Sequence, residues 1–486
     1  MGYTEKVVVI GAGISGLACA HRLKQLGLRP RVLEATERSG GLINTVRRDG
    51  FLFETGPQFP RFPPSVWQLV RDLSLEREFV AGDSKAKRYI FRRGRLHLAP
   101  FSPGGLIRTQ LLGLKSKLRI LGEPFGYSRP PDQEESLAEF VQRKFGTEVL
   151  DYLVDPIIST VFLGDVHKMG MESAFPALVE WERNGGSLVR GALYSRKSRR
   201  DATKSGGASK PSTFHSNGNH SSLRVTDALP TLGSFRSGMA TLPERLAEEL
   251  KGEITYKAAV ESIALSRENP AASKPAWQVC LSSGEQITAQ SLVLAVPAHV
   301  AARLLEPSAP QLSSHLKAIE YAPISVVSSA YERSKVANPL DGFGFMVPRR
   351  KGLNTICTFW NSSLFGGRAP EGTVLITSFA ESEENGGAPG AASEEKCTRA
   401  VESENARILG ISGKPVARLV WKNLHALPQY NVGHARRVTE IYNILPELPN
   451  LYLAGNFLKG RSIGDCVDVA YRVAENLHSR LQRQDI

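Results

Sequence analysis

The chain has 486 residues, of which 41% are hydrophobic and 22% charged. These proportions are typical of a globular chain with a sizeable core, and at roughly 100–200 residues per domain the length allows two to four domains. No apolar run reaches the ~18 residues of a spanning helix, and the chain enters a strand-like run almost at once. We therefore expect neither a membrane-spanning helix nor a signal peptide. The five cysteines form no C-x-x-C pair, which argues against a disulfide framework or a metal site and favours a reducing cytosol.

The formal net charge of +13 raises the question of a nucleic-acid partner. Residues 195–225 include seven basic residues and a single acid, among many Ser, Gly and Asn residues. This composition predicts a flexible basic insertion rather than a core element. Because no zinc-finger spacing or aromatic-interleaved basic groove accompanies it, we expect no nucleic-acid partner and favour a negatively charged membrane surface.

The first 35 residues have the pattern of a βαβ unit. A β-branched run at 6–10 predicts a buried parallel strand, a helical pattern covers 17–26, and a second strand covers 31–35. The turn between strand and helix reads Gly11, Ala12, Gly13, Ile14, Ser15 and Gly16. This G-x-G-x-x-G spacing, with Glu34 about 20 residues on, is typical of a dinucleotide site.

Each residue of this motif has a separate physical task. Gly11 permits the tight turn, Gly13 lets the backbone approach a pyrophosphate, and Gly16 permits close helix–strand packing. The free N–H groups at the helix start attract the phosphates. Glu34 can accept hydrogen bonds from a ribose diol, and its charge disfavours the 2′-phosphate of NADP.

Further strand patterns lie far along the chain, at 291–296 and 451–454. We therefore expect a discontinuous first domain with other material inserted between its strands. Between them, the segment 105–122 is basic and amphipathic, with Ile107, Leu111, Leu114, Leu118 and Leu121 on one helical stripe. A core-facing helix and a helix lying on a membrane interface are equally compatible with this pattern.

Downstream of Glu34, the chain resembles the flavin-containing amine oxidase and porphyrinogen oxidase superfamily. The resemblance rests on a second glycine pair in the run 37–42, a Gly-Pro turn in the run 53–57, and a C-terminal run at 454–466 that opens a helix. It implies FAD as the cofactor, with the Gly-Pro turn and the start of the C-terminal helix beside the isoalloxazine ring. Because no second G-x-G-x-x-G exists to hold a nicotinamide, we expect O2 or a quinone as the electron acceptor.

Other stretches are similar, in order, to the oxygen-dependent protoporphyrinogen oxidases. They occur at 87–90, 115–118, 155–158, 174–176, 233–242, 340–344 and 427–430. The resemblance implies an α/β (α+β) fold: a discontinuous Rossmann-like FAD domain of the p-hydroxybenzoate hydroxylase type, a mixed-sheet substrate domain and a helical membrane-binding region. The implied ranges are 1–85, 236–305 and 415–486 for the FAD domain, 86–100 and 306–414 for the substrate domain, and 101–194 for the helices.

The same resemblance assigns the site residues. On the substrate side it implies that Arg88 binds a propionate, that Ile324 and Leu340 press on one face of the macrocycle, and that Trp360 presses on the other. The family often has Phe at 360 and glycines where this chain has Thr160 and Leu163. The implied cofactor contacts are Gly11, Ala12, Gly13, Ile14, Ser15, Gly16, Glu34, Ala35, Arg38, Gly41, Leu42, Gly56, Pro57, Gln58, Phe59, Val260, Trp421, Arg461, Ser462 and Ile463.

The resemblance implies oxidation of protoporphyrinogen IX in haem biosynthesis by successive hydride transfers to flavin N5. It also implies a homodimer attached to the inner face of the cell membrane. Oxidation of coproporphyrinogen III and a non-catalytic membrane-associated flavoprotein stay open as alternatives. An amine oxidase would need an aromatic cage that the run 458–461 does not supply. No metal site or catalytic triad is expected, and His167, His299, His425 and His434 are interpreted as surface or core residues.

Overall fold

The computed structural model describes residues 4–83, 85–128, 130–195, 232–266, 276–381 and 391–484; most of the predicted basic insertion lies outside them. The strands are β1 Thr4–Ile10, β2 Pro30–Leu33, β3 Thr45–Arg48, β4 Phe51–Glu54, β5 Phe79–Ala81, β6 Lys87–Arg92, β7 Arg95–Leu98, β8 Gly233–Phe235, β9 Ile254–Thr255, β10 Val260–Ser266, β11 Ala276–Leu281, β12 Gln286–Leu294, β13 Tyr321–Glu332, β14 Gly342–Met346, β15 Thr355–Phe359, β16 Thr373–Ala380, β17 Ala417–Pro428 and β18 Leu451–Leu453. The helices are α1 Ile14–Gln25, α2 Pro64–Asp72, α3 Pro103–Arg108, α4 Leu114–Gly122, α5 Leu137–Lys144, α6 Thr147–Val149, α7 Asp155–Phe162, α8 Met171–Ala174, α9 Pro176–Gly185, α10 Thr241–Glu249, α11 Ala298–Leu305, α12 Pro310–Lys317, α13 Asn361–Leu364, α14 Ala391–Leu409, α15 His434–Ile444 and α16 Ile463–Gln484.

The first sheet has the order β10-β11-β12-β1-β2-β9, and β18 pairs with the second half of β12. β1 is parallel to both β2 and β12. Val7, Val8 and Val9 of β1 are fully buried because α1, α2 and α16 cover one face of the sheet, while α11, α12 and α15 cover the other. The strands predicted from the first 35 residues and from 291–296 and 451–454 all belong to this one discontinuous sheet.

The second sheet has the order β17-β13-β16-β15-β14-β6-β7 and is antiparallel except where β14 meets β6. Its strands come from two separated parts of the chain, 87–98 and 321–428. β17 pairs with β13 along nearly its whole length, although the expected boundary at 415 placed it in the FAD domain. Conversely, α12 packs on the first sheet, although the range 306–414 placed it in the substrate domain.

The third part of the molecule is helical, as the range 101–194 predicts. Helices α5 to α9 enclose a core that includes Leu137, Phe140, Val141 and Met169. The mixed α/β architecture is thus two sheets plus a helical layer. No helix in the described ranges is long and apolar enough to cross a membrane.

The prediction of one continuous helical stripe over 105–122 was wrong. Thr109 has an extended backbone with ψ 141°, and its hydroxyl accepts a hydrogen bond from Leu111 N at 3.1 Å. The Glu148 carboxylate then accepts from Gly113 N at 2.8 Å, immediately before α4 begins. The break separates α3 from α4 and buries Leu111, because a local side-chain hydrogen bond competes with helical pairing.

Candidate functional site

The turn between β1 and α1 is shaped by its three glycines. Gly11 has φ +102°, and a Cβ there would lie 2.6 Å from the carbonyl oxygen of Ala295. A Cβ on Gly16 would lie 1.8 Å from the carbonyl oxygen of Gly11, so the helix packs against the turn itself. At Gly13, by contrast, a Cβ would meet no atom within 4 Å. The backbone at Gly13 is therefore open to a ligand.

The N-terminus of α1 fits a phosphate group. Gly13 is the N-cap of this 12-residue helix, and no side chain caps the helix. Its first N–H groups are consequently available to a ligand, and the helix dipole adds partial positive charge at the same point. An uncapped helix start beside an open glycine is the arrangement in which a pyrophosphate binds.

The second glycine pair lies directly against this helix start. Gly40 N donates to Ala12 O at 2.8 Å, and Gly40 pairs with Gly13 as an isolated bridge. A Cβ on Gly41 would lie only 3.3 Å from the Cα of Gly13. The Arg38 guanidinium holds the loop by donating to Gly41 O at 2.7 Å. Two glycine segments that α1 and β2 separate in the sequence thus form one cradle.

Glu34 is fixed at the carboxyl end of β2. Its Oε2 accepts from Ala12 N at 2.8 Å, while its Oε1 accepts from Thr36 N at 2.9 Å and from Thr36 Oγ1 at 2.8 Å. A carboxylate has about four acceptor positions, so capacity for a ligand hydroxyl is left. Ala258 N donates to Glu34 O at 2.8 Å, which brings the start of β10, with the buried Val260, close to this carboxylate. Ala35 is exposed.

The Gly-Pro turn connects the cradle to the second sheet. A Cβ on Gly56 would lie 2.0 Å from Leu42 O, so the segment after the glycine pair runs against the turn. Behind Pro57, the buried Gln58 donates from Nε2 to Gly56 O at 3.0 Å and accepts from Asn361 Nδ2 at 2.7 Å. Asn361 begins α13, directly after β15. These hydrogen bonds fix the Gly-Pro turn to the second sheet.

Phe59 ends this turn inside a cluster of aromatic rings. Its ring centroid lies 5.0 Å from that of Phe343 and 4.9 Å from that of Phe359. The guanidinium carbon of Arg88 lies 4.1 Å from the Phe343 ring centroid and 5.4 Å from that of Phe101. Burial lowers the pKa of Arg88, and the neighbouring charge of Arg61 lowers it further. A half-buried cation and an apolar wall therefore lie next to the Gly-Pro turn.

Phe343 and Phe359, which together with Phe59 form an aromatic wall, were not predicted from the sequence. Phe343 and Phe359 are on β14 and β15, where side chains alternate between the two faces of the sheet. Phe359 and Trp360 are adjacent, and only Phe359 reaches Phe59. Trp360 instead lies 5.6 Å from the Tyr89 ring, with no exposed surface. The period-2 alternation of a strand does not say which face meets the cofactor, so no local pattern selects Phe359 over Trp360.

The residues expected to hold the macrocycle from its two faces are distributed over two hydrophobic clusters. Leu340, which is 2% exposed, and Trp360 lie in the same hydrophobic cluster. Ile324 lies in a different cluster, together with Leu163 and Ile356. Leu340 and Trp360 thus pack in one cluster and Ile324 in another, and their contact with a macrocycle stays a prediction. Leu163 has φ +50°, the left-handed region that glycine favours.

The start of α16 meets both the α1 turn and the Gly-Pro segment. Ser462 caps the helix, since its Oγ accepts from Asp465 N at 3.1 Å and the Asp465 carboxylate accepts from Ser462 N at 3.0 Å. Ile463 is buried in the core shared with α1. A Cβ on Gly464 would lie 2.4 Å from Pro63, four residues after Phe59. The C-terminal helix thus completes the rim of the cradle.

Other predicted positions lie farther from this arrangement or are buried. Trp421 is 39% exposed on β17, opposite Val326, and no described contact joins it to the cradle. His434 is buried and stacks on Tyr430 with ring centroids 4.2 Å apart. Burial lowers the pKa of His434 to about 4, so it is neutral near pH 7. His299 and His425 stack on each other at 4.2 Å.

No group of three His, Cys, Asp or Glu side chains in the described ranges could hold a metal ion. No disulfide joins the five cysteines, all of which are described. The open Gly13, the uncapped α1 and the fixed carboxylate of Glu34 fit the pyrophosphate and ribose of FAD. The aromatic wall lies beside the Gly-Pro turn, which follows the segments that fit the nucleotide.

Known proteins are similar in sequence to this chain over nearly its whole length. The family model for flavin-containing amine oxidoreductases matches residues 14–478. A chloroplastic protoporphyrinogen oxidase from Nicotiana tabacum is 31% identical over 497 aligned residues, which cover 98% of this chain and 86% of that protein. A coproporphyrinogen III oxidase from Bacillus subtilis strain 168 is 27% identical, with 96% of each chain covered.

A solved structure shows the same fold. The crystal structure of a proposed protoporphyrinogen oxidase from Exiguobacterium sp. 255-15 matches with a TM-score of 0.78 at 23% identity. The match covers 99% of this chain and 100% of that chain. With the glycine cradle, the fixed Glu34 and the full-length matches together, the chain belongs to the flavin-containing amine oxidoreductase family, alongside the protoporphyrinogen oxidases, and is an FAD-dependent oxidoreductase.

Proposed function

We propose that this protein oxidises protoporphyrinogen IX to protoporphyrin IX in haem biosynthesis, with O2 or a quinone as the final electron acceptor. The observation that carries the proposal is the aromatic wall of Phe59, Phe343 and Phe359, which continues from the Gly-Pro turn and has Arg88 at its edge. A large apolar macrocycle with carboxylate side chains needs such a surface together with a cation. The relatives named as protoporphyrinogen oxidases support the same substrate class.

Bound FAD would supply the redox chemistry as a hydride acceptor, and the glycine cradle with Glu34 would hold it. The chain's own residues orient the reactants and exclude water. The hydrogen bonds of Gln58 to Gly56 and Asn361 hold the Gly-Pro turn in place. The phenylalanine rings shield one side of the substrate, and Arg88 positions a propionate far from the reacting carbon.

The arrangement of the domains is proposed to follow the p-hydroxybenzoate hydroxylase type. A parallel sheet with the nucleotide turn and a second, mostly antiparallel sheet with the aromatic wall support this view. In such a molecule the substrate lies between the sheets, where the Gly-Pro turn crosses from one to the other. The hydrogen bond of Gln58 to Asn361 marks that crossing.

We also propose that the helical layer attaches the protein to the inner face of the cell membrane. Large apolar side chains are exposed within residues 98–127, here called the apolar edge, with Leu114 at 72% and Phe125 at 88% exposure. The other members of this apolar edge are Leu98, Phe101, Ile107, Leu118, Leu121 and Tyr127. Arg108, Lys115 and Arg119 are exposed among them. Exposed apolar residues interleaved with basic ones are typical of an interfacial surface.

The substrate is tested by turnover of protoporphyrinogen IX and coproporphyrinogen III on one preparation. The proposal predicts a higher kcat/KM for protoporphyrinogen IX, since Arg88 is the cation placed on the aromatic wall. A clear preference for coproporphyrinogen III would assign the chain the activity named for its Bacillus subtilis relative. No turnover of either, in a preparation that retains FAD, would favour a non-catalytic flavoprotein.

A further inference from the structure

We infer that the side chain of Arg461 supplies a positive charge that stabilises negative charge on the reduced flavin and so raises the reduction potential of bound FAD. The inference rests on FAD binding in the cradle described above and not on the identity of the substrate. It concerns a side chain rather than the backbone of the helix start. Among the described residues the Arg461 guanidinium contacts aromatic rings but forms no ion pair.

Arg461 lies where the first sheet binds its ligand. It directly precedes Ser462, the cap of α16, and the first turn of α16 reaches the α1 turn through a hydrogen bond between Cys466 and Ser15. The neighbouring Tyr430 donates to Asn456 O at 2.6 Å, in the loop that follows β18. In sheets of this kind ligands bind beyond the carboxyl ends of the parallel strands. Arg461 is at that edge.

The charge of Arg461 has no carboxylate partner among the described residues. Its guanidinium carbon lies 3.3 Å from the Phe162 ring centroid and 5.4 Å from that of Tyr430. The nearest acid, Asp465, is committed to Ser462, accepting from its N at 3.0 Å and from its Oγ at 2.6 Å. A largely desolvated cation without an ion pair is costly. The cost is offset when an anionic group comes to lie beside it.

The surrounding groups preserve this positive charge. Burial lowers the pKa of Arg461 to about 10, so the guanidinium stays protonated near pH 7. His434, which stacks on Tyr430, is neutral at that pH and adds no competing charge. The uncapped end of α1 directs further partial positive charge to the same edge. Arg88, by contrast, is on the second sheet against Phe343 and is placed for a substrate carboxylate.

The test replaces Arg461 in the FAD-loaded protein and measures the flavin without any porphyrinogen. Sulfite adds to an oxidised flavin and leaves negative charge on the ring, so its dissociation constant reports the stabilisation of that charge. Arg461→Met should weaken sulfite binding at least tenfold. It should also lower the reduction potential by about 30 mV for each tenfold change in the two-electron equilibrium. Arg461→Lys should stay within threefold of the parent near pH 7.

A charge effect has a further signature in the lysine variant. A desolvated lysine has a lower pKa than arginine, so sulfite affinity in Arg461→Lys should fall as the pH rises through the range 8–10 (roughly where such a lysine loses its proton), more steeply than in the parent. Arg461→Gln gives a second uncharged variant with different packing, in case Arg461→Met does not retain FAD. Arg48→Met is the matched control: it also removes a cation over a phenylalanine ring, that of Phe53, at an exposed position without a proposed role, and it should leave both flavin readouts unchanged.

Several results would overturn the inference. One is an uncharged variant that keeps its FAD, binds sulfite within twofold of the parent and has a reduction potential within 10 mV of it, about the shift of a twofold change in that equilibrium. An Arg461→Lys profile parallel to the parent's would do so as well. An unchanged flavin with a raised KM for porphyrinogen would assign Arg461 to a substrate carboxylate instead. Because neither readout uses porphyrinogen, failure of the proposed substrate leaves this test intact.

Discussion

A buried carboxyl group, Glu54, lies just before the Gly-Pro turn and joins three parts of the chain. It accepts from Thr45 Oγ1 at 2.7 Å and from Met239 N at 2.9 Å. Burial raises the pKa of Glu54 from 4.5 to about 7, although these two bonds and the nearby Arg368 oppose the shift. The folded protein therefore binds a proton on Glu54 at pH values where the unfolded chain has lost it.

The sign of the resulting pH dependence follows from that difference. The contribution of Glu54 to the free energy of unfolding is fully present below pH 4.5 and is lost as the pH rises to about 7. The loss amounts to about 3 kcal/mol. In Glu54→Gln this part of the pH dependence should disappear. Denaturant unfolding between pH 4 and 8, roughly the range that spans both pKa values, measures it. Equal slopes in parent and variant would contradict the assignment.

Glu34 should determine how tightly the protein holds FAD. Glu34→Ala removes a charged acceptor for the ribose hydroxyls, worth ~1.5–3 kcal/mol, which corresponds to roughly ten- to a hundredfold weaker binding. Dialysis followed by flavin absorbance measures the loss, and added FAD should restore activity. Glu37→Ala, an exposed acid in the same loop, is the control. Full flavin occupancy of Glu34→Ala after extensive dialysis would show that Glu34 does not bind the ribose.

Arg88 should act on substrate affinity rather than on chemistry. In Arg88→Ala a propionate loses its cation at a half-buried position, so the cost falls between that of an exposed and a buried pair, or about 1–3 kcal/mol. We expect KM to rise roughly tenfold with a smaller loss of kcat and only partial rescue by Arg88→Lys. Arg95→Ala, exposed on the same hairpin, is the control. Kinetics within twofold of the parent would place the propionate elsewhere.

At the scale of elements, the helical layer presents α3 and α4 as two short helices instead of one. Their exposed apolar residues all belong to the apolar edge, so the membrane proposal depends on this exposed segment and not on a continuous helix. Leu118→Glu combined with Phe125→Glu should reduce co-sedimentation with phosphatidylserine-containing vesicles by roughly tenfold or more, since two exposed apolar side chains that would insert into the membrane are replaced by charges. Val416→Glu, at another exposed apolar position, is the control. Unchanged vesicle binding in the double variant would exclude this surface.

The elements that were predictable share a strong local pattern. β1, α1 and β2 have a β-branched run, a glycine motif and a helical period, and the structure differs from the prediction by a few residues at their ends. The break at Thr109 could not be read from hydrophobic spacing, because it depends on Glu148 and on one side-chain hydrogen bond. The membership of β17 in the second sheet depends on its pairing with β13, which is a long-range contact.

At the scale of the molecule, the site exists only where the two sheets meet. The glycine cradle belongs to the first sheet and is visible in the sequence, since each glycine meets a local steric demand. The aromatic wall belongs to the second sheet, and its members become neighbours of Phe59 only through tertiary packing. This difference explains why the cofactor could be predicted from motifs, whereas Phe343 and Phe359 were not predicted.

The most direct test of the account is anaerobic mixing of the FAD-loaded protein with a single candidate reductant. Protoporphyrinogen IX should remove the visible absorbance of oxidised flavin at a rate no slower than turnover, and admission of O2 should restore it. Benzylamine and putrescine should leave the absorbance unchanged, because a cation and a phenylalanine wall border the Gly-Pro turn. Reduction by an amine, with none by protoporphyrinogen IX, would contradict the proposed function.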